Sequence, residues 1–241
     1  IVFGVSPASF LTARSLEQIK NDVAYSDQPV TLVGISAGIS YGQLGSTHHS
    51  LHDYAVLRTI NNLTIVSPAD NFEASQVIKK AVSFNKPLYI RYWKKPMGNL
   101  HKKGSKFEIG KASIICEGND ITIIATGETV QRAFLASRIL DEEGIKAEVI
   151  SMHTVKPFDE EALLRSIKKT KCLVSVEEHS IYGGLGECCA SLIAQSGYNL
   201  KFKILGIPDE YMMNGSQSDV LDHYNMSPDK IADISKSLLD Q

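Results

Sequence analysis

The sequence predicts an α/β protein of two domains, each built on a mainly parallel sheet flanked by helices. Three observations lead there. Short apolar runs of strand length alternate with stretches of helical period. A basic, apolar-poor segment divides the chain near residue 100. The chain has 241 residues, 43% of them hydrophobic, enough for a substantial core.

The elements follow in order. Residues 1–5 read as a strand, and because residue 1 is Ile and already lies in it, further sequence is expected upstream. Residues 8–24 have helical spacing. Residues 30–36 form a continuous apolar run, the mark of a parallel strand buried on both faces. A helix is expected near 50–60, then strands at 63–67 and 87–91 on either side of a helix at 71–84. In that helix Ala74, Val77, Ile78, Ala81 and Val82 recur at helical spacing, and Asp70 with Glu73 makes a capping box. Residues 94–106 carry five lysines and read as solvated connection. The expected division is a first domain at 1–98, a linker at 99–106 and a second domain at 107–241. The second domain repeats the alternation, with strands at 121–126, 146–151, 171–177 and 201–206. Its helices fall at 128–142, 159–168, 185–196 and 228–239. Asp159 caps one of these, with Glu160 and Glu161 in the first turn.

A net charge of −2 and a pI near 6.4 argue against nucleic acid or an anionic membrane as partner. No segment has the ~18–20 apolar residues of a membrane span, and no signal-peptide layout opens the chain. The four cysteines show no C-x-x-C pair or disulfide spacing, which fits a reducing cytoplasm.

Chemistry concentrates after the strands of the first half. Three of the seven histidines, His48, His49 and His52, fall within five residues of a glycine-bearing loop that follows strand 30–36. In an open parallel sheet, the carboxyl ends of the strands are where ligands bind. Phe10 begins the helix after the first strand, and Arg91 ends the fourth, so all three positions reach one rim. His48 can exchange a proton near neutrality, and Arg91 has donors suited to phosphate or carboxylate. A metal site is not expected, because the His48/His52 pair lacks the Glu of H-E-x-x-H and a third ligand. In the second half, Tyr182-Gly183-Gly184-Leu185-Gly186 is a glycine turn before a helix. It lacks both G-x-G-x-x-G and a P-loop lysine, and reads as a tight turn rather than a phosphate cradle.

The order of several segments resembles the transketolase family of thiamine diphosphate enzymes. They are Ser9-Phe10-Leu11-Thr12, Gly42-Gln43-Leu44-Gly45-Ser46-Thr47-His48-His49, Ser67-Pro68-Ala69-Asp70, Tyr89-Ile90-Arg91-Tyr92 and the stretch from Glu177 to Glu187. Gly206-Ile207-Pro208-Asp209-Glu210-Tyr211 is similar to the deoxyxylulose-phosphate synthase branch. The resemblance implies a partial pyrimidine-binding domain followed by a transketolase C-terminal domain. It implies that His48 hydrogen-bonds the substrate, with His49 as a substrate-binding neighbour. Phe10 then stacks on the cofactor's pyrimidine, and Arg91 holds a substrate phosphate. Thiamine diphosphate would be shared with a diphosphate-binding domain or N-terminal subunit that binds Mg2+ or Ca2+, in a homodimer or heterotetramer. The expected activity is transfer of a two-carbon ketol unit, on a sugar or 2-oxo acid substrate. The alternatives are a deoxyxylulose-phosphate synthase-like enzyme, a 2-oxo acid dehydrogenase β component, or a non-catalytic assembly subunit. Leu44 stands where the family's transketolases carry an acidic residue, and Ser36 near a further histidine. Both departures argue against an ordinary pentose phosphate.

Overall fold

The computed structural model describes residues 1–102 and 104–240; Lys103, within the predicted linker, and Gln241 lie outside the described residues. The first half runs β1 (Val2–Pro7), α1 (Ala8–Arg14), α2 (Leu16–Gln18) continuing into a π-helical segment Ile19–Tyr25, and β2 (Val30–Ile35). A 3-10 turn at Gly42–Leu44 precedes α3 (Asp53–Arg58), β3 (Thr64–Val66), α4 (Asn71–Ala81) and β4 (Leu88–Arg91). The second half runs β5 (Ser113–Cys116), β6 (Ile121–Ala125), α5 (Thr129–Glu142), β7 (Ala147–Ser151) and β8 (Thr154–Lys156). It continues with α6 (Glu160–Thr170), β9 (Cys172–Ser180), α7 (Leu185–Ser196), β10 (Lys201–Ile207), α8 (Gln217–His223) and α9 (Pro228–Asp240).

Two five-stranded sheets result, in the orders β1-β2-β4-β3-β8 and β10-β9-β6-β7-β5. Each is parallel except for one antiparallel edge strand, β8 on β3 and β5 on β7. The central strands are largely apolar because helices cover both faces: Ile65, Leu88 and Ile90 are buried in the first sheet, and Ile121, Ile123 and Ile124 in the second. Among the described residues no helix is long and apolar enough to cross a membrane.

Three differences from the sequence reading have physical causes. The expected helix at 8–24 is broken at Ser15 and ends in wider π turns. Strands β5 and β8 and helix α8 are too short for periodicity to reveal them. Strand β8 comes from the second half yet completes the first sheet, pairing Val66 with Thr154, so the halves share a sheet edge.

The segment expected to be solvated is pinned at its start. Asp70 caps α4, accepting from the Glu73 amide at 2.8 Å, while the Glu73 carboxylate accepts from the Ala69 amide at 2.7 Å. The other Asp70 oxygen accepts from the amides of Leu100 at 2.8 Å and His101 at 3.1 Å, and lies 2.9 Å from His101 Nδ1. Burial raises the Asp70 pKa, but these hydrogen bonds, that from His101 foremost, bring it down to about 2. One carboxylate therefore holds both the start of α4 and the segment at Leu100 and His101. Asp70→Ala is expected to cost about 2 kcal/mol in urea denaturation. A loss below about 0.5 kcal/mol, the range of an ordinary surface change, would contradict this role.

Candidate active site

Strands β1, β2 and β4 run parallel and in register, with Pro7 opposite Ile35 and Gly34 opposite Arg91, so their carboxyl ends share one rim. The chain leaves β2 through Ser36 and Gly38, both with positive φ, into the loop that carries the histidines. The neck of that loop is closed by a bridge between Gly38 and Ser50, in which the Ser50 amide donates to the Gly38 carbonyl at 2.8 Å. The turn before the histidines needs Gly45: its φ is +70°, and a Cβ there would lie 2.8 Å from Asn214 Oδ1.

This geometry presents His48 half-buried on the rim. Its ring centroid lies 5.4 Å from that of Phe10 and 5.4 Å from that of Tyr41, both edge-on. Nδ1 is 3.0 Å from the Thr47 hydroxyl. The Arg14 guanidinium sits 4.5 Å over the Phe10 ring, and Lys94 Nζ 4.7 Å over the Tyr41 ring. The fold thus joins Phe10 to His48, 38 positions apart in sequence, and surrounds them with an aromatic ring and two exposed cations. Arg14 was within reach of sequence reasoning, because it lies four residues after Phe10 on one helix. Tyr41 and Lys94 carried no such signal, since only the fold brings them together.

His49 is more deeply placed than His48. It is buried, with Nε2 3.1 Å from the Gly42 carbonyl, and burial holds its pKa below the ordinary value. In this position the ring of His49, the expected substrate-binding neighbour, braces the glycine turn. His52 lies 3.3 Å from the Thr12 hydroxyl, tying the start of α3 to α1. Among the described residues no group of three or more His, Cys, Asp or Glu side chains is placed to hold a metal ion.

Arg91, expected as a phosphate ligand, is buried at the end of β4. Its side chain is 5% exposed and pairs with Asp53, itself fully buried, Nε donating to Oδ2 at 2.7 Å. The same guanidinium donates to the carbonyls of Ser50 at 3.2 Å and Glu178 at 2.9 Å and lies 4.6 Å over Tyr54. Tyr89 gives Asp53 a second hydrogen bond at 3.0 Å. Burial alone would raise the Asp53 pKa, but Arg91, then His179, hold it below the ordinary value. Through Nε and Nη2, Arg91 fastens the loop neck to the second half.

The second half supplies the floor. Glu177 accepts from the amides of Leu185 at 2.6 Å and Gly186 at 2.7 Å at the start of α7. A carboxylate of the chain itself thus fills the place a phosphate would take, in keeping with the tight-turn reading of Gly183–Gly184. Glu178 Oε1 accepts from the Ile39 amide at 3.0 Å and from Gln217 Nε2 at 2.8 Å. The Gln217 amide also donates to Glu128 Oε1 at 2.7 Å. Sequence reasoning missed Glu178 as a support of the histidine loop, because its partner Ile39 is 139 positions away.

Comparison with known proteins agrees with this architecture. Residues 1–98 match the family model described as transketolase, pyrimidine binding domain, and residues 110–231 that described as transketolase, C-terminal domain. One subunit of the apulose-4-phosphate transketolase of Phocaeicola vulgatus is 40% identical over 231 residues, covering 95% of this chain and 73% of that protein. A 6-deoxy-6-sulfo-D-fructose transketolase subunit of a Clostridium species is 38% identical over 196 residues, covering 81% of this chain and 61% of that protein. A solved structure described as a split gene transketolase, inactive beta4 tetramer, superposes with a TM-score of 0.86 at 28% identity, covering 99% of this chain and 75% of that one.

Proposed function

The chain belongs to the transketolase family, and we propose that it is the C-terminal subunit or portion of a thiamine diphosphate-dependent transketolase-like enzyme that transfers a two-carbon ketol unit. The observation that carries this reading is the meeting of Phe10 and His48 on the rim formed by β1, β2 and β4. We assign the pyrimidine-binding unit to residues 1–98, the linker to 99–106 and the C-terminal unit to 107–241.

These residues fit the aromatic end of the cofactor. Phe10 is half-buried at the start of α1 and offers a flat apolar surface beside an imidazole. When bound, thiamine diphosphate supplies the carbon nucleophile that attacks a ketose carbonyl. His48 would hydrogen-bond the substrate's carbonyl oxygen and could exchange a proton there. Thr47, Tyr41 and Phe10 limit the rotation of that imidazole. Arg14 and Lys94 make the flank of the site positive. That suits a ketose bearing phosphate or sulfonate, and the two relatives above are named for sugars of those kinds. A diphosphate-binding domain or N-terminal subunit is the proposed partner, and the holder of the cofactor's diphosphate and its Mg2+ or Ca2+. Both relatives are named as single subunits of their transketolases, and the beta4 assembly is described as inactive; these descriptions support that division of labour.

The test combines the chain, a diphosphate-binding partner, thiamine diphosphate and a panel of anionic ketoses with aldehyde acceptors. Mass spectrometry is expected to find the donor shortened and the acceptor lengthened by two carbons. Decarboxylation of a 2-oxo acid with no ketose transfer would sink the reading and favour a synthase or dehydrogenase. Calorimetry is expected to show tight cofactor binding only when the partner is present.

A further inference from the structure

The segment that follows β4 is fastened by a buried cluster that the proposed reaction does not use. Residues 97–101 lie across the start of α4. The Asn71 side chain donates to the Met97 carbonyl, and the Leu100 and His101 amides donate to Asp70. The His101 ring turns inward, with its side chain 5% exposed, and its centroid lies 4.9 Å from that of Phe72. Nδ1 is 2.9 Å from Asp70 Oδ2, and Nε2 is 3.3 Å from Glu73 Oε1; both acids are fully buried. Glu73 also accepts from the Ala69 amide at 2.7 Å and from the Ser151 hydroxyl at 3.0 Å. Ser151 ends β7, in the second half of the molecule. Three parts of the chain therefore meet here: the start of α4, residues 97–101 and the end of β7.

A neutral imidazole cannot satisfy both acids, because it has one N–H and one lone pair. With the proton on Nδ1, the Nε2 lone pair faces the Glu73 carboxylate. With the proton on Nε2, the Nδ1 lone pair faces Asp70. One further proton, on the ring or on Glu73, removes the conflict without moving an atom. We propose that a proton held between His101 and Glu73 latches residues 97–101 to the start of α4 and the end of β7, and that its loss as the pH rises releases them.

The groups packed around the pair leave this proton in place. His153, between β7 and β8, is buried against Phe107, with Nδ1 3.0 Å from the Thr154 hydroxyl. Burial, and then the charge on His101, hold its pKa down to about 3, so its ring stays neutral. Asp159, at the start of α6, bears on His153. Lys102, next along the segment, is exposed. Burial alone would lower the His101 pKa, but Asp70 and Glu73 hold it above the ordinary 6.5. Burial pushes Glu73 up to about 7 from an ordinary 4.5, with the charge on His101 opposing. Both shifts have the same sign. The contribution of Glu73 is complete below 4.5 and that of His101 below 6.5, and each is lost as the pH rises through the higher, folded value. The depressed values of His153 and Asp70 act oppositely on the stability of the whole chain, lowering it as the pH falls. The test is therefore local.

It uses the full chain between pH 6 and 9. Amide-exchange protection of Leu100 and His101, corrected for intrinsic rates, is followed together with the NMR signals of the His101 ring nitrogens. In the parent, protection is expected to fall about tenfold across this range, and the Nε2 signal is expected to change over the same interval. Glu73→Gln keeps an oxygen for the Ala69 amide and offers Nε2 an N–H, so its protection is expected to stay high at every pH. His101→Asn cannot take up the proton, and its protection is expected to be low at every pH. The same decline in the parent and both variants would overturn the inference, as would His101 ring signals that stay constant from pH 6 to 9. Should Glu73→Gln fail to fold, His101→Asn and the ring signals of the parent still decide.

Discussion

Arg91→Met is expected to lower the stability of the chain by about 3–5 kcal/mol. Deleting the guanidinium leaves Asp53 fully buried and charged, with Tyr89 as its remaining close donor. It also strips a donor from the carbonyls of Ser50 and Glu178. Breaking one side of a buried pair costs more than the pair contributes, because the surviving charge has neither water nor partner. Arg91→Met with Asp53→Asn should therefore recover much of the loss, and the double-mutant cycle measures the coupling. Lysine is expected to be a poor substitute, since a single ammonium cannot reproduce the planar fork that spans three acceptors. The pair also has an acid signature. Asp53 titrates below its ordinary value of 3.8, so its contribution is present above that value and is lost as the pH falls through the lower, folded one. Urea denaturation with intact stability, accompanied by a tenfold rise in KM for an anionic ketose, would instead return Arg91 to the role of substrate ligand.

His48→Ala should show the opposite pattern. Its ring is half-buried and touches the edges of Phe10 and Tyr41 and the Thr47 hydroxyl, none of which depends on it for burial or charge compensation. The stability loss is expected to stay near 1 kcal/mol. Turnover in the assembled enzyme is expected to fall about 10²–10⁴-fold, the range for loss of a positioned proton donor and acceptor. His48→Gln separates the two functions, keeping a hydrogen bond without proton exchange near neutrality, and should fall between Ala and the parent. If the Ala variant unfolds while its folded fraction turns over at the parent rate, His48 is structural and the active-site reading fails. Arg91 and His48 lie on the same rim, so contrasting outcomes would separate support from chemistry within one site.

Much of the framework was legible in the residues themselves. The apolar runs of β2, β4, β6 and β7 and the first half of β9 have the composition of strands covered on both faces. The caps Asp70 and Asp159 each accept from the amide three residues on, as their positions require. The meeting of Phe10 with His48 follows from two parallel neighbouring strands, whose ends must reach one rim. Local chemistry suffices for such features because the interacting groups are close in sequence or tied by strand order.

Residue order and composition thus specify the alternating α/β framework, the family resemblance, and the strand ends where chemistry gathers. Which polar groups at those ends are free is a matter of the folded chain. Arg91 looks like an anion ligand until Asp53, 38 positions away, is found against it. His49 looks like His48 until the Gly42 carbonyl is found at its ring nitrogen. Strand β8 crosses to the first sheet, and Glu178 reaches the histidine loop from the other half of the chain. One physical cause underlies each case. A buried polar group must find a partner, and long-range packing, not the neighbouring sequence, determines which partner it meets.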